Sequence, residues 1–296
     1  MIKKRIVCFL IALSVLFSFP AFSEENTTGE SGILEVHFLC VGTNDAILLT
    51  IDGESAFIDS GNYPEGVYCA EYLKNYGVSS LKYYIASHYH LDHIGGAPAI
   101  VSAIETESLV YSYDRALEAM YIMAQDENEI AALDQANRIP MNYLDSITLG
   151  GATLTCVGPK AYVKKHGIQD TSENNNSILL HVTYGDISFF LTGDSPSWKV
   201  LEMAKSHPEV LSSNVIKAPH HRGGFDKSVY KLMDTDYVVF STAGTWLPLK
   251  DQMTWASQAS DHILITADNR NGWIRFFTDG KTLRVETEFE YDYSAE

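Results

Sequence analysis

Four side chains able to bind a metal fall within six residues at His88-Tyr89-His90-Leu91-Asp92-His93, just before Ile94-Gly95-Gly96. The run stands between a strand-like segment at 82–87 and a helix-like one that starts near Gly96. A strand that empties into a loop rich in His and Asp sets several donors at one sheet edge. There a catalytic metal can be held with one coordination position open. Five other histidines, His37, His166, His181, His207 and His262, are scattered singly, so the clustering is local and not a matter of composition.

Two further strand ends carry compatible residues. Asp194 closes Leu191-Thr192-Gly193-Asp194, and His220 follows Ala218-Pro219. A hydrolytic centre needs neutral imidazoles and carboxylates, with a carboxylate able to bridge if two ions are used. His88 and His90 would serve one ion, and Asp92 and His93 another, if all three loops converge on one edge. Read alone, Asp194 could equally be a helix-capping aspartate.

The elements that must carry these loops show as alternating and helical patterns. Strand signals fall at 33–39, 46–51 and 55–58, with Asp52-Gly53 a tight turn between the last two. A helix over 65–76 closed by Gly77, the strand 82–87, a helix over 96–104, a strand at 108–112 and a long helical stretch at 115–136 complete the first half. The second half has strands at 152–157, 177–183 and 187–192. A helix then runs to about Ser206, with Ser195 as its cap and Pro196 at its first position. Strands at 215–218, 237–241, 263–266, 273–277 and 283–287 finish the chain. Strands with interspersed helices in both halves predict two facing sheets with helices outside. No internal repeat or low-complexity linker divides them.

The first 23 residues read as a signal peptide. Lys3, Lys4 and Arg5 form a basic region, 6–19 an apolar one, and Ala21-Phe22-Ser23 a small-residue cleavage site. An apolar run of about 14 residues is short of the roughly 20 that a spanning helix needs. Cleavage leaves residues 24–296 as one domain, without a membrane span, secreted or held in the cell envelope. Mature Cys40, Cys69 and Cys156 are odd in number and lie in apolar runs, which predicts buried free thiols and no disulfide framework. The chain carries a formal charge of −17, or −20 without the three basic leader residues, and repels polyanions. Long nucleic acid is therefore disfavoured as a partner.

The order HxHxDH, then LTGD, then PHH, is identified as resembling the metallo-β-lactamase superfamily. The resemblance implies an α/β (α+β) fold, a four-layer αββα sandwich, with one or two metals in a groove at the strand ends. It would make His88, His90 and Asp194 ligands of the first metal, and Asp92, His93, Asp194 and His220 ligands of the second, with Asp194 bridging. Asp59, ending a strand in FIDSG, matches the superfamily's first motif and would orient the ligands from behind. Within the superfamily, VGTNDAILLTIDGESAFIDSGN, LKYYIASHYHLDHIGG, NNNSILLHVTYGDISFFLTGD and IKAPHHRGG resemble ComEC-type competence protein hydrolase domains and phosphorylcholine esterase-type members. Asn174-Asn175-Asn176-Ser177 stands where the superfamily usually has a histidine, as it does in ComEC-type domains, which implies a first metal site that is weaker or partly closed by an amide or water, with Asn175 and Ser177 behind the ligands. The region STAGTWLPLKDQMTWAS lacks the Asn and His-Pro pair usual in ComEC-type domains, which weighs against DNA as substrate.

A bridging carboxylate suits phosphoester or ester hydrolysis, and no mature cysteine sits in a His-rich loop. The expectation is an exported hydrolase of phosphoesters, small or envelope-borne, using two divalent ions, zinc first and manganese second. A water acidified from about 15.7 toward 7 would attack phosphorus. Asp92 would orient that water. His221 would contact the oxyanion or protonate the leaving oxygen, or else be a packed histidine behind the ligands. Arg222 could clamp a phosphate, or be a solvated loop residue. Tyr83, Tyr84, Tyr89, Trp246, Trp255 and Trp273 could line a groove that cages a quaternary ammonium, or could be core. The stretch 120–140 would cover the site, or be an ordinary exposed helix. The alternatives are a ComEC-like extracellular nuclease and a non-catalytic metal- or envelope-binding module.

Overall fold

In a computed structural model the described residues are 32–162, 171–244 and 246–291, so the expected signal peptide lies outside them. Alternating apolar residues build the first sheet from β1 (Leu34–Phe38), β2 (Ile47–Ile51), β3 (Glu54–Ile58), β4 (Ser80–Ala86), β5 (Glu105–Tyr111) and β6 (Asn137–Pro140). The chain then crosses to a second sheet of β7 (Ser146–Leu149), β8 (Ala152–Gly158), β9 (Leu179–Tyr184), β10 (Ile187–Leu191), β11 (Val215–Lys217), β12 (Tyr237–Phe240) and β13 (His262–Ile265). It returns with β14 (Ile274–Thr278) and β15 (Leu283–Thr287), which close the first sheet beside β1.

The two sheets bury one core between them, from Val36, Leu49, Ile58 and Ile85 on one side and Leu154, Leu180, Phe189 and Val239 on the other. The helices α1 (Tyr63–Asn75), α2 (Leu91–Ile94), α3 (Ala97–Ala103), α4 (Asp114–Met123) and α5 (Glu127–Gln135) accompany the first sheet. Its outer face packs Phe57, Tyr84 and Leu109 against Leu73, Ile100 and Leu133 of α1, α3 and α5. The helices α6 (Ser197–Ala204), α7 (Lys227–Tyr230) and α8 (Lys250–Ala256) cover the second sheet, with Phe190, Ile216 and Phe240 against Val200, Val229 and Ala256. Apolar faces on both sides of both sheets make the four layers of an αββα sandwich. No helix among the described residues is long and apolar enough to cross a membrane. Cys69 and Cys156 are buried free thiols and Cys40 a half-buried one.

Several expectations are corrected. The helical stretch 115–136 is two helices, because Asp126 accepts hydrogen bonds from the N–H groups of Asn128 and Glu129 and caps α5. Residues 137–140 then leave the helix to pair with β5, and Met120, Leu133 and Ala136 pack into the outer layer of the first sheet. Pro196 is the cap of α6, one residue before its expected place. The edge strands β6 and β7, with the short α7, carried too few alternating residues to register in the sequence.

Candidate metal centre

Parallel pairing decides where the donors meet. In the first sheet β3 and β4 run parallel, so Asp59 and His88 leave their strands at the same edge. In the second, β10, β11 and β12 run parallel and deliver Asp194, the 218–221 loop and Ser241. The edges are tied across the sandwich, since Ile178 N–H donates to Ser87 O at 2.9 Å and Asp194 N–H to Ser177 Oγ at 3.2 Å.

Among the described residues, three groups of donors result, each with its ligand atoms within 4.8 Å of one another: His88, His90 and Asp194; Asp92, His93, Asp194 and His221; and Asp45, Asp59 and His93, so that Asp194 is common to the first two. In the first, His88 Nε2 and His90 Nδ1 lie 3.0 Å apart, a spacing at which two imidazole nitrogens share a proton or a cation. His88 Nδ1 is engaged by Ser87 Oγ at 3.0 Å. In the second, His93 Nε2 is 3.2 Å from Asp194 Oδ1, while His221 Nε2 is 3.4 Å from Asp92 Oδ2 and 3.8 Å from Asp194 Oδ1.

The rings are oriented from behind. His93 donates Nδ1–H to Asp59 Oδ2 at 2.7 Å, and His221 donates Nδ1–H to the Ser241 carbonyl at 3.0 Å. Each ring therefore turns its Nε2 toward the carboxylates, and both Nε2 atoms are buried without a hydrogen-bond partner. Buried polar atoms are rarely left so. Two orphaned imidazole nitrogens aimed at two aspartates are the donor set a divalent transition metal takes, and the residues fit such an ion. Asp59 also accepts from Ser87 N–H at 2.8 Å and Ser87 Oγ–H at 2.6 Å, and holds φ at +57°, a strained value outside glycine.

Burial and charge set the protonation states of the metal-free cluster. Burial, with His93 close by, holds His88 well below the usual histidine value, so it is neutral. Burial pulls His93 down too, but Asp194 and Asp59 outweigh it and hold that ring well above the ordinary value. His221 is raised in the same way by Asp194 and Asp92 against its burial. Asp194 is held far below the carboxylate range by His93 and His221 in spite of complete burial, and Asp92 is lowered by His221 and His93 against its burial.

His88, His90, Asp92, His93 and Asp194 meet in this cluster, and His220 does not contribute its ring. The His220 side chain is exposed, and only its backbone N–H reaches Asp194 Oδ1, at 3.1 Å. His221, and not His220, turns its ring into the four-donor group. The cause is backbone geometry: His220 and His221 both have left-handed φ, at 55° and 53°, which turns the second ring inward. Nothing in two adjacent histidines could have told them apart. Ser177 holds the Asp194 backbone, whereas Asn175 is half-buried in the turn Thr171–Asn176. Asp45 and Lys217 were missed. A lysine inside the three-residue buried strand β11 was the available signal.

The aromatic expectations divide. Tyr83 and Tyr84 are core, Trp255 packs on the second sheet's outer layer, and Trp273 lies under Arg275. Tyr89, beside His90, is buried with Arg115 over its ring at 5.1 Å. Trp246 is 57 % exposed with the Arg222 guanidinium 5.2 Å from its ring, so a cation already occupies one of its faces.

Residues 41–167 match the family model described as the metallo-beta-lactamase superfamily. The His/Asp cluster is a candidate metal-binding site. Among solved structures, a mutant metallo-beta-lactamase from Cronobacter sakazakii is 18 % identical, covering 60 % of this chain and 74 % of that one with a TM-score of 0.40. The metallo-beta-lactamase MIM-1 from Novosphingobium pentaromativorans is 14 % identical, covering 62 % and 76 % at 0.40. CmlA, a diiron beta-hydroxylase from Streptomyces venezuelae, is 13 % identical, covering 80 % and 45 % at 0.44. No curated protein sequence matches the chain.

Proposed function

We propose that this chain is an exported hydrolase of phosphoester bonds that works with two divalent ions, zinc before manganese. The observation that carries the reading is Asp194, whose carboxylate belongs to both the His88–His90 group and the Asp92–His93–His221 group and is buried between them. A carboxylate so shared suits a pair of ions held a few ångströms apart. Bound there, they would supply Lewis acidity and lower the pKa of a water toward 7.

The chain's own residues do the rest. Asp59 and the Ser241 carbonyl hold the tautomers of His93 and His221, and Asp92, half-exposed beside His221, can accept a proton from an attacking water. Arg222 follows His221 and lies over Trp246, which pre-orders its guanidinium for a phosphoryl oxygen. Leu91, 44 % exposed between His90 and Asp92, offers an apolar contact for the organic group of an ester. The ComEC-type likeness rests on the sequence segments alone, and the charge of −17 disfavours long nucleic acid. Export rests on residues 1–23.

The test is metal analysis of the purified protein followed by a panel of phosphodiester, phosphomonoester, lactone, β-lactam and DNA substrates. Two equivalents of metal and phosphodiester turnover lost in His90→Ala are expected. Preference for DNA would substitute a nuclease, and bound metal without turnover a binding module.

A further inference from the structure

Beneath the cluster lies an ion pair that none of the roles above uses. Lys217, the last residue of β11, and Asp45, in the connection from β1 to β2, are both buried, and Lys217 Nζ sits 2.7 Å from Asp45 Oδ2. Ile47, Ile58, Ile85, Ile178, Leu180 and Leu191 surround the pair at a small cavity between the sheets. Burying two charges in such a place is no better for stability than an apolar pair of equal volume, so stability alone does not account for it.

What the pair supplies is connection. Lys217 Nζ also donates to Gly193 O at 3.3 Å and Ala218 O at 3.2 Å, so its three protons meet three acceptors. Gly193 precedes Asp194, and Ala218 begins the turn that brings His221 inward. On the other side, Asp45 N–H donates to Asp92 O at 3.4 Å, and Asp45 O accepts from Gly61 N–H at 3.0 Å. The Asp45 carboxylate stands behind both imidazoles of the four-donor group, Oδ2 at 3.6 Å from His93 Nδ1 and Oδ1 at 3.8 Å from His221 Nδ1. Oδ1 has no hydrogen-bond partner and is buried. One salt bridge thus joins the loops that carry Asp92, His93, Asp194 and His221, two from each sheet.

We propose that the Asp45–Lys217 pair is a positioning device that sets the spacing of the four-donor group, and through it the affinity and coordination geometry of the ion held there. The proposal rests on the cluster being a metal centre. A donor set built from two sheets is only as well spaced as the sheets are, and apolar packing between them permits slip that a fixed three-way hydrogen-bonded lysine does not.

The experiment uses the full chain and Co(II) as probe, read by its visible absorption spectrum and by competition with a chromophoric chelator, with thermal unfolding in parallel. Asp45→Asn combined with Lys217→Met removes both charges at nearly constant volume and leaves neither unpaired. The double variant is expected to unfold close to the unaltered chain, yet to bind Co(II) roughly 10- to 100-fold more weakly with an altered spectrum, as when groups behind metal ligands are removed. Lys217→Arg, which keeps the charge but changes its reach, is expected to alter the spectrum as well. A native Co(II) spectrum and affinity in the double variant overturns the proposal. If the double variant does not fold, an unchanged spectrum in Lys217→Arg overturns it equally. Failure of the unaltered chain to take up Co(II) overturns the metal-centre reading, and this proposal with it.

Discussion

At the scale of single residues, the centre turns on which of two adjacent histidines faces inward. The His221 ring is buried with Nε2 directed at Asp92 and Asp194, whereas His220 contributes its N–H to Asp194 and leaves its ring in solvent. His221→Ala is therefore expected to cost roughly 100-fold or more in metal affinity, since even groups behind ligands cost 10- to 100-fold. His220→Ala keeps the backbone donor and is expected to keep native metal content. Equilibrium dialysis followed by metal analysis of both variants checks this, and the reverse ranking would return the role to His220. The same logic applies to Asp59, whose two oxygens hold Ser87 and His93 and whose positive φ is held by those bonds and by its own N–H donating to Ile85 O at 2.9 Å.

At the scale of elements, the 88–93 loop is held by backbone contact as much as by side chains. A Cβ on Gly66 of α1 would stand 2.3 Å from Gly96 Cα, and one on Gly96 would stand 2.4 Å from Gly66 Cα. Helix α1 therefore lies directly on the turn that follows His93, and Ser60 N–H donates to His93 O at 2.5 Å while Gly96 N–H donates to Gly61 O at 2.9 Å. Gly96→Ala must push α1 away, at about 1–3 kcal/mol by the usual cost of overpacking. Because the same movement displaces His93, reduced metal content is expected along with the lower melting temperature. A variant that loses stability but binds metal as before would show the loop to be independent of α1.

At the scale of the whole molecule, four carboxylates, Asp45, Asp59, Asp92 and Asp194, converge on a centre whose only fixed cation is Lys217 among the described residues. Without metal, the protons on His93 and His221 offset part of that charge. Their folded-state pKa values are raised, so this stabilisation is fully present below the unfolded value of about 6.5 and is lost as pH rises through the folded values. The metal-stripped protein is expected to melt at progressively lower temperature as pH rises above about 6.5, and the metal-loaded protein to be far less sensitive. Scanning calorimetry with and without chelator from pH 6 to 9 checks it, and a flat profile for the stripped protein would count against a proton-balanced cluster. The sequence by itself determined which strands and helices form, because alternation and helical periodicity are local, and it determined that His88, His90, Asp92, His93 and Asp194 sit at strand ends. It left short edge strands and the break at Asp126 unread, because few residues carry their pattern. Only the tertiary structure chose His221 over His220, brought Asp45 to Lys217 across the two sheets, and turned Trp246 toward Arg222. Those choices depend on backbone dihedrals and on contacts between residues far apart in the chain, and no local pattern encodes either.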